Sequence, residues 1–232
     1  MKPRRTQARS GRDQHRDWLA LVDAQGPFLA IPPLTRVWPQ GMPPLDAAAK
    51  TALGDAKPAF DAAWDRWDRQ RDAEGAVAAY RTARDEWIGV VLRDVLGLAP
   101  LWVPDDQVIH SAAVSSPDTR VQAVASGTIR HDERIGALVW VIDPVSSLHD
   151  QGTDGWAASP VDRMEAMLRA GHLPIGVVTD GRWWAIVSAT PAGLAASGVF
   201  DAQTWIEEPA TRNALVALLS VCLLYTSPSP RD

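Results

Sequence analysis

Two apolar segments on either side of a clearly signalled helix constrain the fold more than any other feature. Residues 137–142 are apolar throughout and residues 174–179 nearly so, which is typical of strands buried on both faces. Between them Ser159 stands at an N-cap position, with Pro160 at the first helical position and Asp162 at the third. The order of strand, helix and strand indicates a mixed α/β layer.

The sequence after the second apolar segment predicts a hairpin. Asp180 and Gly181 form a strong turn signal, and residues 183–188 are predicted to return as the antiparallel partner. Two more strands are predicted at residues 108–114 and 120–125, separated by a turn, and a last helix is predicted to begin near Pro209. With the helices described next, these elements predict an α+β fold.

Residues 46–96 are predicted to be helical. Asp46 can cap a first helix, and Pro58 suits the first turn of a second one. In that second helix Phe60, Trp64, Trp67 and Arg71 share one face, while aspartates and arginines alternate elsewhere and predict a solvated, salt-bridged surface rather than a metal cluster. A further amphipathic stripe over residues 77–92 completes a predicted αα-hairpin, joined near Gly75.

The N-terminal part is predicted to contain little regular structure. Residues 1–17 are basic and predict a flexible arm, and the six prolines between residues 26 and 45 predict an extended surface strap instead of a helix or a central strand. Its anchors would be Phe28, Leu29, Ile31, Leu34 and Trp38. The expected divisions are an arm (1–17), a strap (18–45), a helical subdomain (46–100), an α/β domain (101–221) and a tail (222–232).

The tail does not resemble protein-coding sequence. Read codon by codon, residues 222–232 are similar to a translated adapter of the kind used to prepare sequencing libraries. We therefore expect the chain to be an N-terminal fragment of a longer protein, cut near Val221. The last helix would then lack its cover and expose a hydrophobic patch at Leu215, Leu218 and Leu219.

Composition narrows the functional classes. The net charge of −5 argues against a simple nucleic-acid coat protein. The single cysteine is Cys222, so the chain before the tail has no disulfide or thiolate metal site, and a cytoplasmic location is expected. No apolar run is long enough to span a bilayer, so no membrane partner is expected.

Catalytic motifs are sparse. No Gly-rich phosphate loop stands between a strand and a helix, and the five histidines have no metal-ligand spacing. Ser188 and Ser197 lack the surroundings of a nucleophile elbow. No catalytic residue is predicted from these patterns.

One set of segments resembles a known family. Residues 137–143, 156–164 and 171–184 are similar to the N-terminal region of large bacterial restriction-modification or phage-defence DNA adenine methyltransferases. In that family a strand carrying the nuclease acid leads into a helix, followed by a strand and a Thr-Asp-Gly turn like that at residues 179–181. The resemblance implies a helical hairpin followed by a restriction-nuclease-like mixed sheet with flanking helices. It also implies DNA and other defence-system subunits as partners, and S-adenosylmethionine as the cofactor of a missing C-terminal domain.

The nuclease positions depart from the family pattern. Asp118 and Asp143 could stand for the two acids, but Val145 occupies the position of the assisting lysine, and no lysine follows Lys57. A nuclease of this type needs carboxylates for Mg²⁺ and a lysine for the attacking water, and arginine cannot handle the proton. The resemblance therefore implies a degenerate nuclease fold with no metal or cofactor of its own, in which Asp118 and Asp143 are turn and strand-end residues.

The candidate nucleic-acid patch consists of Arg182, Trp183 and Trp184. Such residues can stack on bases or clamp a phosphate. The alternative is that one indole faces the core and the other covers a sheet edge, because their places in a strand put them on opposite faces. The function expected from all these features is a noncatalytic module that positions DNA or partner subunits for such a methyltransferase. The alternative is a protein–protein interaction or scaffold domain unrelated to DNA.

Overall fold

The computed structural model describes residues 10–71, 73–131, 134–190 and 193–225. Its helices are α1 (Gly11–Leu19), α2 (Ile31–Val37), α3 (Ala47–Arg69), α4 (Ala76–Val90), α5 (Gln107–Ser111), α6 (Pro160–Ala170) and α7 (Pro209–Tyr225). Its strands are β1 (Asp23–Gln25), β2 (Trp102–Pro104), β3 (Val114–Ser115), β4 (Gln122–Ala123), β5 (Gly127–His131), β6 (Arg134–Val141), β7 (Ile175–Thr179), β8 (Trp183–Ser188) and β9 (Ala196–Asp201). The predicted α+β class is confirmed.

A seven-stranded mixed sheet forms the centre of the fold, in the order β1-β9-β8-β7-β6-β5-β2. Strands β6 and β7 are parallel, with Leu138 opposite Gly176 and Val141 opposite Thr179, and the other neighbours are antiparallel. Helix α6 makes the crossover between the parallel pair, as parallel strands require. The predicted strand–helix–strand unit and the hairpin after it are therefore confirmed.

The sheet is covered on both faces, which explains its continuous apolar strands. Val139, Val177 and Ile186 pack in a core with the N-terminal helices and α7. Leu138, Val178 and their neighbours pack in a second core under α6. Helix α6 begins as predicted, since the Ser159 hydroxyl accepts from the Asp162 N–H and the Asp162 carboxylate accepts from the Ser159 N–H.

The predicted αα-hairpin is present, but its first arm is one helix. Asp46 caps α3 as expected, and the helix continues without a break through Pro58. The prediction that Pro58 begins a new helix is wrong, because packing of the long α3 face outweighs the missing N–H. Phe60 stacks on Trp87 of α4 with ring centroids 5.0 Å apart, and Trp64 meets Tyr80 edge to face.

The hairpin is attached to the turn between β7 and β8 by buried hydrogen bonds from α4. The Tyr80 hydroxyl donates to the Asp180 carbonyl at 2.7 Å, and the Trp87 indole donates to the Gly181 carbonyl at 2.9 Å. Gly181 has φ of +97°, and a Cβ there would lie 3.0 Å from Phe60 and Arg84. The turn therefore has to be glycine both for its backbone angle and for the close approach of α3 and α4.

The N-terminal predictions need correction. Residues 10–17 of the predicted arm belong largely to α1, and residues 1–9 lie outside the described residues. The α1 histidine His15 is buried: its Nε2 donates to the Trp38 carbonyl at 2.8 Å, and its Nδ1 accepts from the Trp18 indole at 3.1 Å. The exclusion of a helix from the strap is also wrong, because Pro32 and Pro33 lie in the first turn of α2, where no intrahelical N–H is needed.

Two predicted strands are also corrected. Residues 108–114 were expected to be a strand, but Gln107–Ser111 is helix α5, capped by Asp106, and only β3 follows it. Residues 120–125 contribute only the short strand β4. The sequence analysis also does not predict β1, β2, β5 and β9. Strands β1 and β2 have only three residues each, and β9 contains Ser197 and Gly198, which are weak strand formers.

Helix α7 packs its apolar face on the sheet and does not expose it to solvent. Leu215, Leu218 and Leu219 are all buried in the core shared with the N-terminal helices, so the expected exposed patch is absent at these residues. Within the part of the chain that the structure describes, no helix is both long enough and apolar enough to cross a membrane.

We expect Tyr80→Phe to lower the free energy of unfolding by about 1–2 kcal/mol, because the buried Asp180 carbonyl loses its side-chain donor while the ring is kept. Urea denaturation of the two proteins measures this difference. Thr51→Ala, on the exposed side of α3, is the control and should change stability by less than about 0.5 kcal/mol. A Tyr80→Phe protein as stable as the parent would contradict the attachment described above.

Candidate functional site

Asp118 lies in the loop between β3 and β4 and serves the turn. Its carboxylate accepts from the Ser116 hydroxyl at 2.6 Å and from the Arg120 N–H at 3.2 Å. The Ser116 hydrogen bond holds the pKa of Asp118 below its usual value. This matches the interpretation of Asp118 as a turn residue.

Asp143 lies two residues after the end of β6 and is bound by arginine. The Arg81 guanidinium donates to both carboxylate oxygens, at 2.7 and 2.6 Å, and Arg84 Nη1 lies 3.5 Å away. The hydrogen bonds from Arg81 hold the pKa of Asp143 below its usual value. Asp118 and Asp143 share no partner, and among the described residues no group of three histidine, cysteine or acidic side chains is placed to hold a metal ion.

The candidate nucleic-acid patch is divided by the sheet. Trp184 is fully buried and donates its indole N–H to the Gly181 carbonyl at 2.9 Å, so it is the indole that faces the core. Trp183 packs against the opposite core, as strand alternation predicts. Arg182 is held by Asp201, at 3.0 and 3.2 Å, and its guanidinium lies over the rings of Trp183 and Trp64.

A cleft of about 810 Å³ opens at the carboxyl end of β6, between the helical hairpin and the loop that follows this strand. Strand β5 begins at Gly127, opposite Val139, while β6 continues to Val141 beside Thr179 of β7. Four arginines and two tryptophans line it, and we call it the arginine cleft: Arg71, Arg81, Arg84, Arg163, Trp67 and Trp140. Ligands in α/β sheets bind at this end of parallel strands.

Two of these arginines are fixed in the wall. Arg84 donates to the Ile142 carbonyl at 2.7 Å, and Arg163 makes a bidentate pair with Asp154 at 2.6 and 2.7 Å. Arg163 also donates to the carbonyls of Trp156 and Ala158. Both arginines are buried, so they shape the loop without being free to move.

The other two arginines lie on the rim. Arg71 pairs with Asp68 and donates to the Ser146 hydroxyl at 3.0 Å, while Arg81 pairs with Asp143. Both side chains and both carboxylates are about half exposed, with relative accessibilities of 45–52%. Exposed pairs of this kind contribute little stability, so the rim guanidinium groups can exchange a carboxylate for another anion.

Asp180 fixes the base of the cleft loop. Its carboxylate accepts from the Val145 N–H at 3.0 Å and from the N–H groups of Arg182 and Trp183 at 3.0 and 2.8 Å. It is fully buried, and desolvation raises its pKa to about 7 against the three hydrogen bonds. Val145 thus serves the loop through its backbone N–H.

A second polar cluster ties the same loop to the edge of the sheet. His149 Nε2 lies 3.1 Å from the Ser197 hydroxyl, and its Nδ1 lies 2.9 Å from Asp23. The order of groups is that of a hydrolase triad. However, Ser197 is only 2% exposed and lies in β9 between β1 and β8, so a substrate carbonyl cannot reach its oxygen. The cluster therefore acts as a structural link.

Sequence reasoning did not identify the arginine cleft. Its residues come from α3 and the turn after it, and from α4, β6 and α6, and the ion pair between Arg81 and Asp143 spans 62 positions. The available signal was Arg81 and Arg84, three residues apart on one helix, because such residues share a helical face.

Comparison with known proteins gives no relative for this chain. No protein-family model matches it, and neither the curated proteins nor the solved structures contain a match.

We expect Asp180→Asn to flatten the pH dependence of stability. Because the folded pKa of Asp180 is raised from 3.8 to about 7, its contribution is complete below about pH 4 and is lost as the pH rises to 7. The free energy of unfolding, measured by urea titration across this range, should fall with pH more in the parent than in the variant. Carboxylates with a lowered pKa make the free energy of unfolding rise with pH. Their contribution is the same in both proteins, so it cancels when the two pH profiles are subtracted. Equal slopes would contradict this assignment.

Proposed function

We propose that this chain is a noncatalytic N-terminal module of a bacterial restriction-modification DNA methyltransferase, and that it positions DNA or a partner subunit in the cytoplasm. Methyl transfer, with its S-adenosylmethionine cofactor, would belong to a C-terminal domain of the parent enzyme. The observation that carries the proposal is the arginine cleft at the end of β6, at the place where the resemblance puts the nuclease acid.

The order of elements around the cleft supports the proposal. Strand β6 leads into α6, and α6 leads into β7 and the Thr179-Asp180-Gly181 turn, which is the order that the family resemblance implies. The chemistry at the end of β6 is that of anion binding, since Asp143 is held by Arg81 and the lysine position is Val145. Arginine forks fit phosphodiester oxygens well.

A protein-interaction role unrelated to DNA is the second candidate. It is favoured by the acidic balance of the chain, with a net charge of −5. A second, shallower depression is lined by five acidic side chains, which would repel DNA: Asp61, Asp65, Asp201, Glu207 and Glu208. In this case the helical hairpin and the sheet would carry a protein partner.

Salt-dependent DNA binding separates the two candidates. We expect a short fluorescein-labelled duplex to bind at low salt, with an affinity that falls steeply as potassium chloride is added. In the double variant Arg71→Gln, Arg81→Gln the slope of log Kd against log salt should fall by about two, because each lost phosphate contact removes about 0.9. Fluorescence anisotropy gives both slopes.

Arg120→Gln is the matched control. Arg120 is 86% exposed in the β3–β4 loop and lies outside the arginine cleft. Its removal should leave the salt slope nearly unchanged. Absence of duplex binding at low salt, or an equal effect of Arg120→Gln, would overturn the DNA proposal and favour the protein-interaction role.

A further inference from the structure

We infer that the arginine cleft binds one nucleotide unit, with the base against Trp140 and the phosphate on the rim arginines Arg71 and Arg81, where Asp143 now takes the place of the anion. This inference rests on the proposed function, because it names the chemistry that the same cleft recognises. The nucleotide can be free or part of an unpaired DNA strand, since both present the same base and phosphate.

The size and composition of the cleft fit such a ligand. Its volume of about 810 Å³ lies within the range of roughly 300–1,000 Å³ usual for small-molecule sites. Its lining combines aromatic rings, which can stack on a base, with guanidinium groups, which can bind a phosphate. Each of the four arginines is paired with a carboxylate, and a phosphate would replace such a carboxylate on the rim; the pairs are Arg71 with Asp68, Arg81 with Asp143, Arg84 with Asp85 and Arg163 with Asp154.

Trp140 is placed to stack on a base. Its side chain lies on the face of β6 turned toward α6, whereas Arg71 and Arg81 approach from the hairpin face, and the cleft reaches both around the end of the strand. Trp140 is half-buried and lines the cleft. Every base has a π face, so this contact gives affinity with little sequence preference. Trp67, the other aromatic residue, is buried and covered by the Arg71 guanidinium, 4.8 Å from its ring centroid.

The Asp143 carboxylate shows where a phosphate would sit. Arg81 holds it with two hydrogen bonds of 2.6 and 2.7 Å, which is the arrangement that an arginine fork also forms with phosphate. Asp143 is half exposed and can therefore leave. A phosphate on Arg81 must displace this carboxylate and overcome its charge, so Asp143 opposes nucleotide binding. A catalytic or metal-binding acid would have the opposite effect.

Isothermal titration with dAMP, deoxyadenosine, inorganic phosphate and a single-stranded oligodeoxyadenylate tests the inference. We expect dAMP to bind at least about tenfold more tightly than deoxyadenosine or phosphate alone. Asp143→Asn should strengthen dAMP binding about three- to tenfold, and Arg81→Gln should weaken it by a similar factor. Trp140→Leu should weaken dAMP binding at least about fivefold without changing phosphate binding, and Trp140→Phe should retain it.

Control variants and the DNA forms separate the outcomes. Arg120→Gln should bind dAMP like the parent, and urea denaturation should confirm that each variant is folded.

Binding of both dAMP and the oligonucleotide supports a site for unpaired strands. Binding of dAMP alone supports a site for free nucleotides and overturns the proposed function. Duplex binding that depends on Arg81 but is unaffected by Trp140→Leu and Asp143→Asn overturns this inference and leaves the proposed function standing. Absence of dAMP and oligonucleotide binding also overturns it.

Discussion

Two buried hydrogen bonds from α4 to the turn between β7 and β8 determine how the helical hairpin lies on the sheet. Tyr80 and Trp87 each donate to a carbonyl of that turn, about 100 residues away along the chain. Burial raises the pKa of Tyr80, so its hydroxyl remains a donor at all ordinary pH values. The same turn places the Asp180 carboxylate under the loop that follows β6. One short segment therefore sets the positions of the hairpin, the sheet and the cleft loop relative to one another.

The arginine cleft follows from this arrangement. Helix α4 brings Arg81 and Arg84 to the end of β6, and Asp180 holds the backbone of Val145 at the base of the facing loop. The wall arginines are themselves buried, are paired with exposed or half-exposed carboxylates, and give the cleft its shape. The rim arginines are paired with exposed carboxylates, and these weak pairs can be exchanged for a ligand. The proposed anion site therefore lies at a junction of several elements.

Local signals predicted the elements whose stability is local. Ser159 and Asp162 marked the start of α6, and Asp180-Gly181 marked the hairpin, because caps and turns depend on neighbouring residues. Prediction failed where distant packing decides, since Pro58 lies inside α3 and β9 is a strand despite Gly198. For α5 the local signal was present and was missed, because Asp106 caps Gln107–Ser111. A Cβ at Gly198 would lie 2.2 Å from Phe28, so that glycine is required by packing with the N-terminal segment. The candidate site was missed for the same reason, since its arginines meet Asp143 only in the folded sheet.

Native-state hydrogen exchange tests most directly whether the hairpin and the sheet form one unit through the β7–β8 turn. The amides of α4, β7 and β8 should exchange with one common free energy of opening, and Tyr80→Phe should lower that free energy equally in all three. If α3 and α4 open at a much lower free energy than the strands, or if Tyr80→Phe affects α4 alone, the hairpin is an independent unit and the cleft does not depend on the turn.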